Sequence, residues 1–158
     1  MDGYATMTNK LFNTDFENAL RLVILLDLFD MPQSLDMLYA VDFIAVYGVP
    51  FGITRTNLNG NNPFMFSEFA SRREVVRNAL RTLVRHDMVL PINLNQGIFY
   101  IITPSGEDFS ASLESTYAKE YRLAAEKVIR RFGNIPDVKL IEMVNKKSAD
   151  SIRKGDSL

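Results

Sequence analysis

No cysteine and no tryptophan occur in the 158 residues, and a single histidine, His86, stands alone. The missing thiol excludes a disulfide framework, thiolate-bound zinc, iron–sulfur clusters and a cysteine nucleophile. One imidazole is too few for most transition-metal sites or a His-based triad. An excess of charge of either sign is missing too: 18 Lys and Arg stand against 19 Asp and Glu, a formal net charge of -1, with a pI near 5.8. That balance excludes a histone-like protein and, with 47% hydrophobic residues, a disordered polyampholyte. No apolar run reaches the roughly 18 residues a membrane span needs. Residues 1–10 contain no basic stretch leading into an apolar core. These absences predict a soluble, cytoplasmic chain with no membrane association, of a size for one packed domain with a short extension.

What is present is mainly helical signal. Residues 14–29 (TDFENALRLVILLDLF) begin with the capping candidates Thr14 and Asp15 and carry Glu17 in the first turn. Phe16, Leu20, Val23, Ile24 and Leu28 form one stripe, while Leu22, Leu25, Leu26 and Phe29 cover most of the remainder, which predicts a central helix covered on two sides. Met31-Pro32-Gln33 breaks it, and Ser34 caps a second helix over 35–47. From 48 to 66 no period holds: three Gly, two Pro and four Asn fall among isolated aromatics. A loop of that length with Phe51, Ile53, Phe64, Met65 and Phe66 is predicted to be ordered by packing, and Phe51, Phe64, Met65 and Phe66 are its candidate apolar contacts to a partner.

Ser67 is placed as the cap of a third helical region, with 71–86 (SRREVVRNALRTLVRH) amphipathic through Val75, Val76, Ala79, Leu80, Leu83 and Val84. Short β-type runs at 88–92 and 98–103 flank turn chemistry at 93–97 and predict a hairpin. After Pro104-Ser105-Gly106, one helix of about seven turns is expected over 108–132, with Gly133 as its C-cap. The predicted fold is mainly α with a small β-hairpin: a winged-helix-like domain with long flanking helices over residues 1–133. Residues 134–158 form a C-terminal tail, at best partly ordered alone, with a short apolar patch and a loose polar end from Asn145. Residues 71–86 take the position of the recognition helix, and the hairpin that of the wing. Such folds bind DNA in some proteins and proteins in others, so the fold alone does not choose.

The sharpest charge feature is Arg73, Arg77, Arg81 and Arg85, spaced by four on the helix face opposite the apolar residues. With Arg72, residues 71–86 hold five Arg and one Glu, net +4, whereas residues 1–45 hold two basic and seven acidic residues, net -5. Arginine at all five positions suits planar, bidentate contact with carboxylates or phosphates. The ridge is therefore a candidate contact to an acidic partner or to nucleic acid, with a solvated face as the plain alternative. A wing tip without Lys or Arg argues against DNA. Asp36 suits the first turn of its helix, and Asp27 or Asp42 suits an ion pair with Arg21, in preference to acid–base or metal chemistry. His86 fits a helix C-terminus, and Tyr117, Tyr121, Lys127, Arg130 and Arg131 fit core packing and a favourable helix end. Asn59-Gly60-Asn61-Asn62 lacks the glycine spacing and the Lys of a phosphate loop. The residues predict no catalytic, cofactor or metal site.

Taken in order, several segments resemble a known family. FNTDFENALRLVILL, LYAVDFIAVYG, NLNGNNP, SRREVVRNALRTLVRHDMVLP, QGIFYIITPSGEDF and SLESTYAKEYRLAAEKVIRRFG together are similar to the middle component, second class, of bacterial three-component ABC systems, the group that includes Lamassu-type antiphage defence. Where relatives place a His before the basic helix this chain has Leu58-Asn59-Gly60, so no role transfers to that position. The resemblance implies a non-enzymatic adaptor between a structural-maintenance-of-chromosomes-like ABC ATPase and an effector, a nuclease in many systems, with DNA reached through the complex. A stand-alone winged-helix DNA-binding transcriptional regulator is the alternative reading.

Overall fold

The computed structural model describes residues 14–153; the leader reading at residues 1–10 and the last five positions of the tail lie outside the described residues. Thr14 opens helix α1 (Asp15–Leu28) as expected, its hydroxyl accepting from the Glu17 amide at 3.2 Å. Residues 20–26 of α1 are all buried, the outcome predicted for a helix apolar on nearly every side. A two-residue strand β1 (Gln33–Ser34) leads into α2 (Leu35–Val46), in which residues 37–46 are buried without interruption. Ser34 caps α2 by accepting from the Met37 amide at 3.0 Å. A 3-10 turn (Val49–Phe51) and a loop precede α3 (Met65–Arg85). Strands β2 (Val89–Leu94) and β3 (Gly97–Ile102) follow, then α4 (Pro104–Ser112), α5 (Thr116–Phe132) and α6 (Asp137–Arg153).

Helix α2 is the axis of the molecule, packed by α1, α3, α5 and α6. Each fully buried Leu, Ile, Val or Phe along it stabilises the fold by about 1.5–3 kcal/mol before conformational entropy is counted. The sheet has the antiparallel order β1-β3-β2, with Gln33 opposite Tyr100 and Val89 opposite Ile102. Among the described residues, no helix is long and apolar enough to cross a membrane.

The structure corrects four local expectations. The break after α1 is itself a strand, so the hairpin belongs to a three-stranded sheet, and its turn narrows to Asn95-Gln96. Helix α3 starts at Met65, ahead of Ser67, because the Asn62 side chain receives the Phe64 amide at 2.9 Å and sets the first turn there. The single helix expected over 108–132 is two: Thr103 caps α4 through the Gly106 amide at 3.0 Å, and Ser115 caps α5 through the Ala118 amide at 3.1 Å, so the chain stops and restarts. The tail does not loosen at Asn145, since α6 continues to Arg153, buries Leu140 and Val144, and packs on α2. Ser34 fastens its start by donating to Asp137 Oδ2 at 2.6 Å.

Candidate functional site

The five arginines of α3 divide into two populations. Arg72 is buried and donates to Asp42 Oδ2 of α2 at 2.5 Å. Arg21 of α1 donates to the other oxygen, Asp42 Oδ1, at 2.9 Å, and Tyr121 of α5 donates to that same oxygen at 2.8 Å. Arg21 also donates to Asn18 Oδ1 at 2.6 Å and to the Tyr117 hydroxyl at 3.2 Å, while Tyr117 donates to Asn59 Oδ1 of the loop at 2.9 Å. Four helices thus meet on one fully buried carboxylate, and the loop joins them through Tyr117 and Arg21. Burial pushes the Asp42 carboxyl up, but the Arg21 and Arg72 charges and their hydrogen bonds outweigh it and hold it at about 2. Burial of Tyr121 beside Asp42 drives its hydroxyl well above the ordinary value, so it is a neutral donor. An ion pair of Arg21 with Asp27 or Asp42 was expected, and the structure takes Asp42. Tyr117 and Tyr121 pack in the core as expected, but their hydrogen bonds at this centre and the role of Arg72 were missed, and the available signal was a charge in each of three strongly apolar helix faces.

Arg73, Arg77, Arg81 and Arg85 run along the outside of α3. Arg73 pairs with Asp36 at 2.8 Å, and that hydrogen bond raises its pKa. Arg77 lies 3.7 Å from Glu74. Arg81 and Arg85 reach only Asn78 and Thr82, each at 3.5 Å, and neither has a carboxylate within ion-pair distance among the described residues. The stripe is a crest between two depressions. On one side Arg73, Arg77 and Arg81 wall a groove of about 960 Å³, whose other walls come from β1, the start of α2, the hairpin and the start of α6. On the other, Arg81 and Arg85 border a smaller hollow of about 340 Å³ with Asp15 and Asn18 of α1.

The apolar candidates of the loop separate in the same way. Phe51 and Met65 are buried in the chain's own core, and Phe66 is half-buried, with ring centroids 6.0 Å from Phe43 and 6.3 Å from Phe51. Phe64 is 70% exposed. The loop is held by its own polar residues: Asn62 donates to Tyr47 at 3.2 Å and Glu68 at 3.0 Å, and Asn57 accepts from the Val49 amide at 3.0 Å. Arg131 of α5 donates to the Phe51 carbonyl at 3.1 Å. His86 is the C-cap of α3, and Asp27 is exposed.

One surface was not anticipated. The hairpin register sets Val89, Tyr100 and Ile102 on the face that meets the core, so Leu90, Ile92, Leu94, Phe99 and Ile101 share the other. Leu90 and Leu94 are 53% and 43% exposed and the other three half-buried. The alternation of both strands carried this signal, but apolar residues on both faces hid which one the core would take. No group of three His, Asp or Glu side chains among the described residues could hold a metal.

Over residues 11–154 the sequence matches the family model described as ABC-three component (ABC-3C) system Middle Component 2. No curated protein and no solved structure matches.

Proposed function

The chain belongs to the Middle Component 2 family of ABC-three component systems, and from that premise we propose that it is the non-catalytic adaptor of its system. It joins a structural-maintenance-of-chromosomes-like ATPase to an effector, a nuclease, in an antiphage complex of the Lamassu type. ATP turnover and detection of foreign DNA then reside in the ATPase and killing in the effector, and this cytoplasmic subunit works without a cofactor. The observation that carries the reading is that one small domain presents two contact surfaces, the arginine crest of α3 and the apolar outer face of the hairpin. The order helix, strand, helix, helix, hairpin, with β3 between β1 and β2, supports a winged-helix frame for these surfaces.

Co-expression with the two neighbouring components, affinity capture and mass in solution test the proposal. The expected product is one complex containing all three chains. A homodimer that ignores its neighbours and binds a specific DNA sequence overturns it in favour of a transcriptional regulator, the reading that the basic α3 beside a hairpin supports. That reading requires an affinity that falls steeply with salt, with a slope reduced by Arg77→Ala and Arg81→Ala.

A further inference from the structure

Resting on the adaptor reading, we propose that the groove between the α3 crest and the hairpin seats an acidic amphipathic helix of another subunit of the complex. The two walls differ in chemistry. Arg77 and Arg81 stand on one, and Ile98, 54% exposed, and the half-buried Tyr100 stand on the other. From residue 88 to residue 106 the chain has no Asp, Glu, Lys or Arg, so the whole hairpin wall is uncharged. A duplex backbone carries one negative charge per about 1.7 Å of its axis and is held by many cations at once. This groove offers three arginines, one of which, Arg73, is already paired with Asp36, so few cations are left for a phosphate backbone. A peptide segment with carboxylates along one face and apolar side chains along the next matches both walls.

The backbone favours a helix as occupant. Strand β3 pairs with β2 along its length and with β1 at Phe99 and Tyr100, and the open edge of the sheet, β2, does not line the groove, so within it little strand edge is left for an extended segment. A helix satisfies its own amides and carbonyls. Steps of four residues along α3 rise about 6 Å, and carboxylates spaced by four on a facing helix repeat that distance, meeting Arg77 and Arg81 in register. Guanidiniums suit this role because each takes a carboxylate bidentately.

The test uses the full chain co-expressed with its two neighbouring components. Arg77→Glu with Arg81→Glu, and separately Ile98→Glu, are expected to lower capture of one partner at least about tenfold while the melting curve of the free chain stays unchanged. A photo-crosslinker at position 98 is expected to mark a helix of that partner rich in Asp and Glu on one face. Exchanging two of those carboxylates for Arg restores capture by the double Glu variant. Wild-type capture with unimpaired variants overturns the groove assignment and leaves the adaptor reading standing. A wild-type chain that captures neither component overturns both. A crosslink to a second copy of this chain, or tight binding of a random-sequence DNA duplex lost in the double variant, overturns the inference in favour of a self-association or nucleic-acid surface.

Discussion

Arg72 and Arg73 are adjacent in α3 and chemically identical, yet they belong to different parts of the molecule. Arg72 is 3% exposed and shares a buried carboxylate with Arg21, whereas the Arg73 side chain is 43% exposed and pairs with a partly exposed Asp36. One residue along a helix turns a side chain by about 100°, enough to carry it from the helix–helix interface to the surface. The comparison teaches that the charge of a helix is not one quantity. A buried guanidinium is desolvated and worthwhile only with its partners in place, while an exposed one is screened and contributes little to stability. The same 21 residues of α3 can therefore hold the core together on one face and remain available for a partner on the other.

The sharpest way to break the comparison is Asp42→Asn. It removes the charge that Arg21 and Arg72 share and leaves both guanidiniums in the core without it; a loss of about 3–5 kcal/mol in urea unfolding is expected. Acid titration probes the same centre without a substitution. The Asp42 carboxyl sits at about 2 in the folded chain against an ordinary 3.8, so protons bind the unfolded chain preferentially. The stabilisation is full above about pH 4 and is lost as pH falls through 2, amounting to about 2 kcal/mol. Chemical denaturation at a series of pH values reads that drop. Tyr121→Phe deletes one of the hydrogen bonds on Asp42 and keeps the ring; about 1–2 kcal/mol is expected, with the acid transition displaced upward. At the small end, Arg81→Ala changes stability by no more than about 0.5 kcal/mol and has its effect on partner capture alone.

The helices were legible because their apolar residues recur with the right period and their caps are local. Thr14, Ser34 and the amphipathic face of α3 needed nothing beyond neighbours in sequence. What escaped depends on residues far apart. Strand β1 is only two residues long and exists because Phe99 and Tyr100, some 65 positions later, offer it an edge. The Asp42 centre brings Arg21, Arg72 and Tyr121 from three helices to a carboxylate on a fourth, and each residue taken alone has an ordinary explanation. Gly106 is a further case. In sequence it only ends the hairpin with Pro104 and Ser105, but a Cβ there would strike the Met88 carbonyl oxygen and come within 2.7 Å of the Ile102 side chain, so its small size lets α4 start against the sheet. The arginine crest was legible as a stripe, while its position between two depressions, and the apolar outer face of the hairpin, required the fold.

The division of the α3 arginines is tested most directly by carrying Arg72→Ala and Arg81→Ala through the same two assays, thermal unfolding of the free chain and capture of the neighbouring components. The account predicts that Arg72→Ala lowers the melting temperature by several degrees, and that Arg81→Ala melts like the wild type but captures less partner. An Arg81→Ala chain that unfolds early, or an Arg72→Ala chain as stable as the wild type, would contradict it.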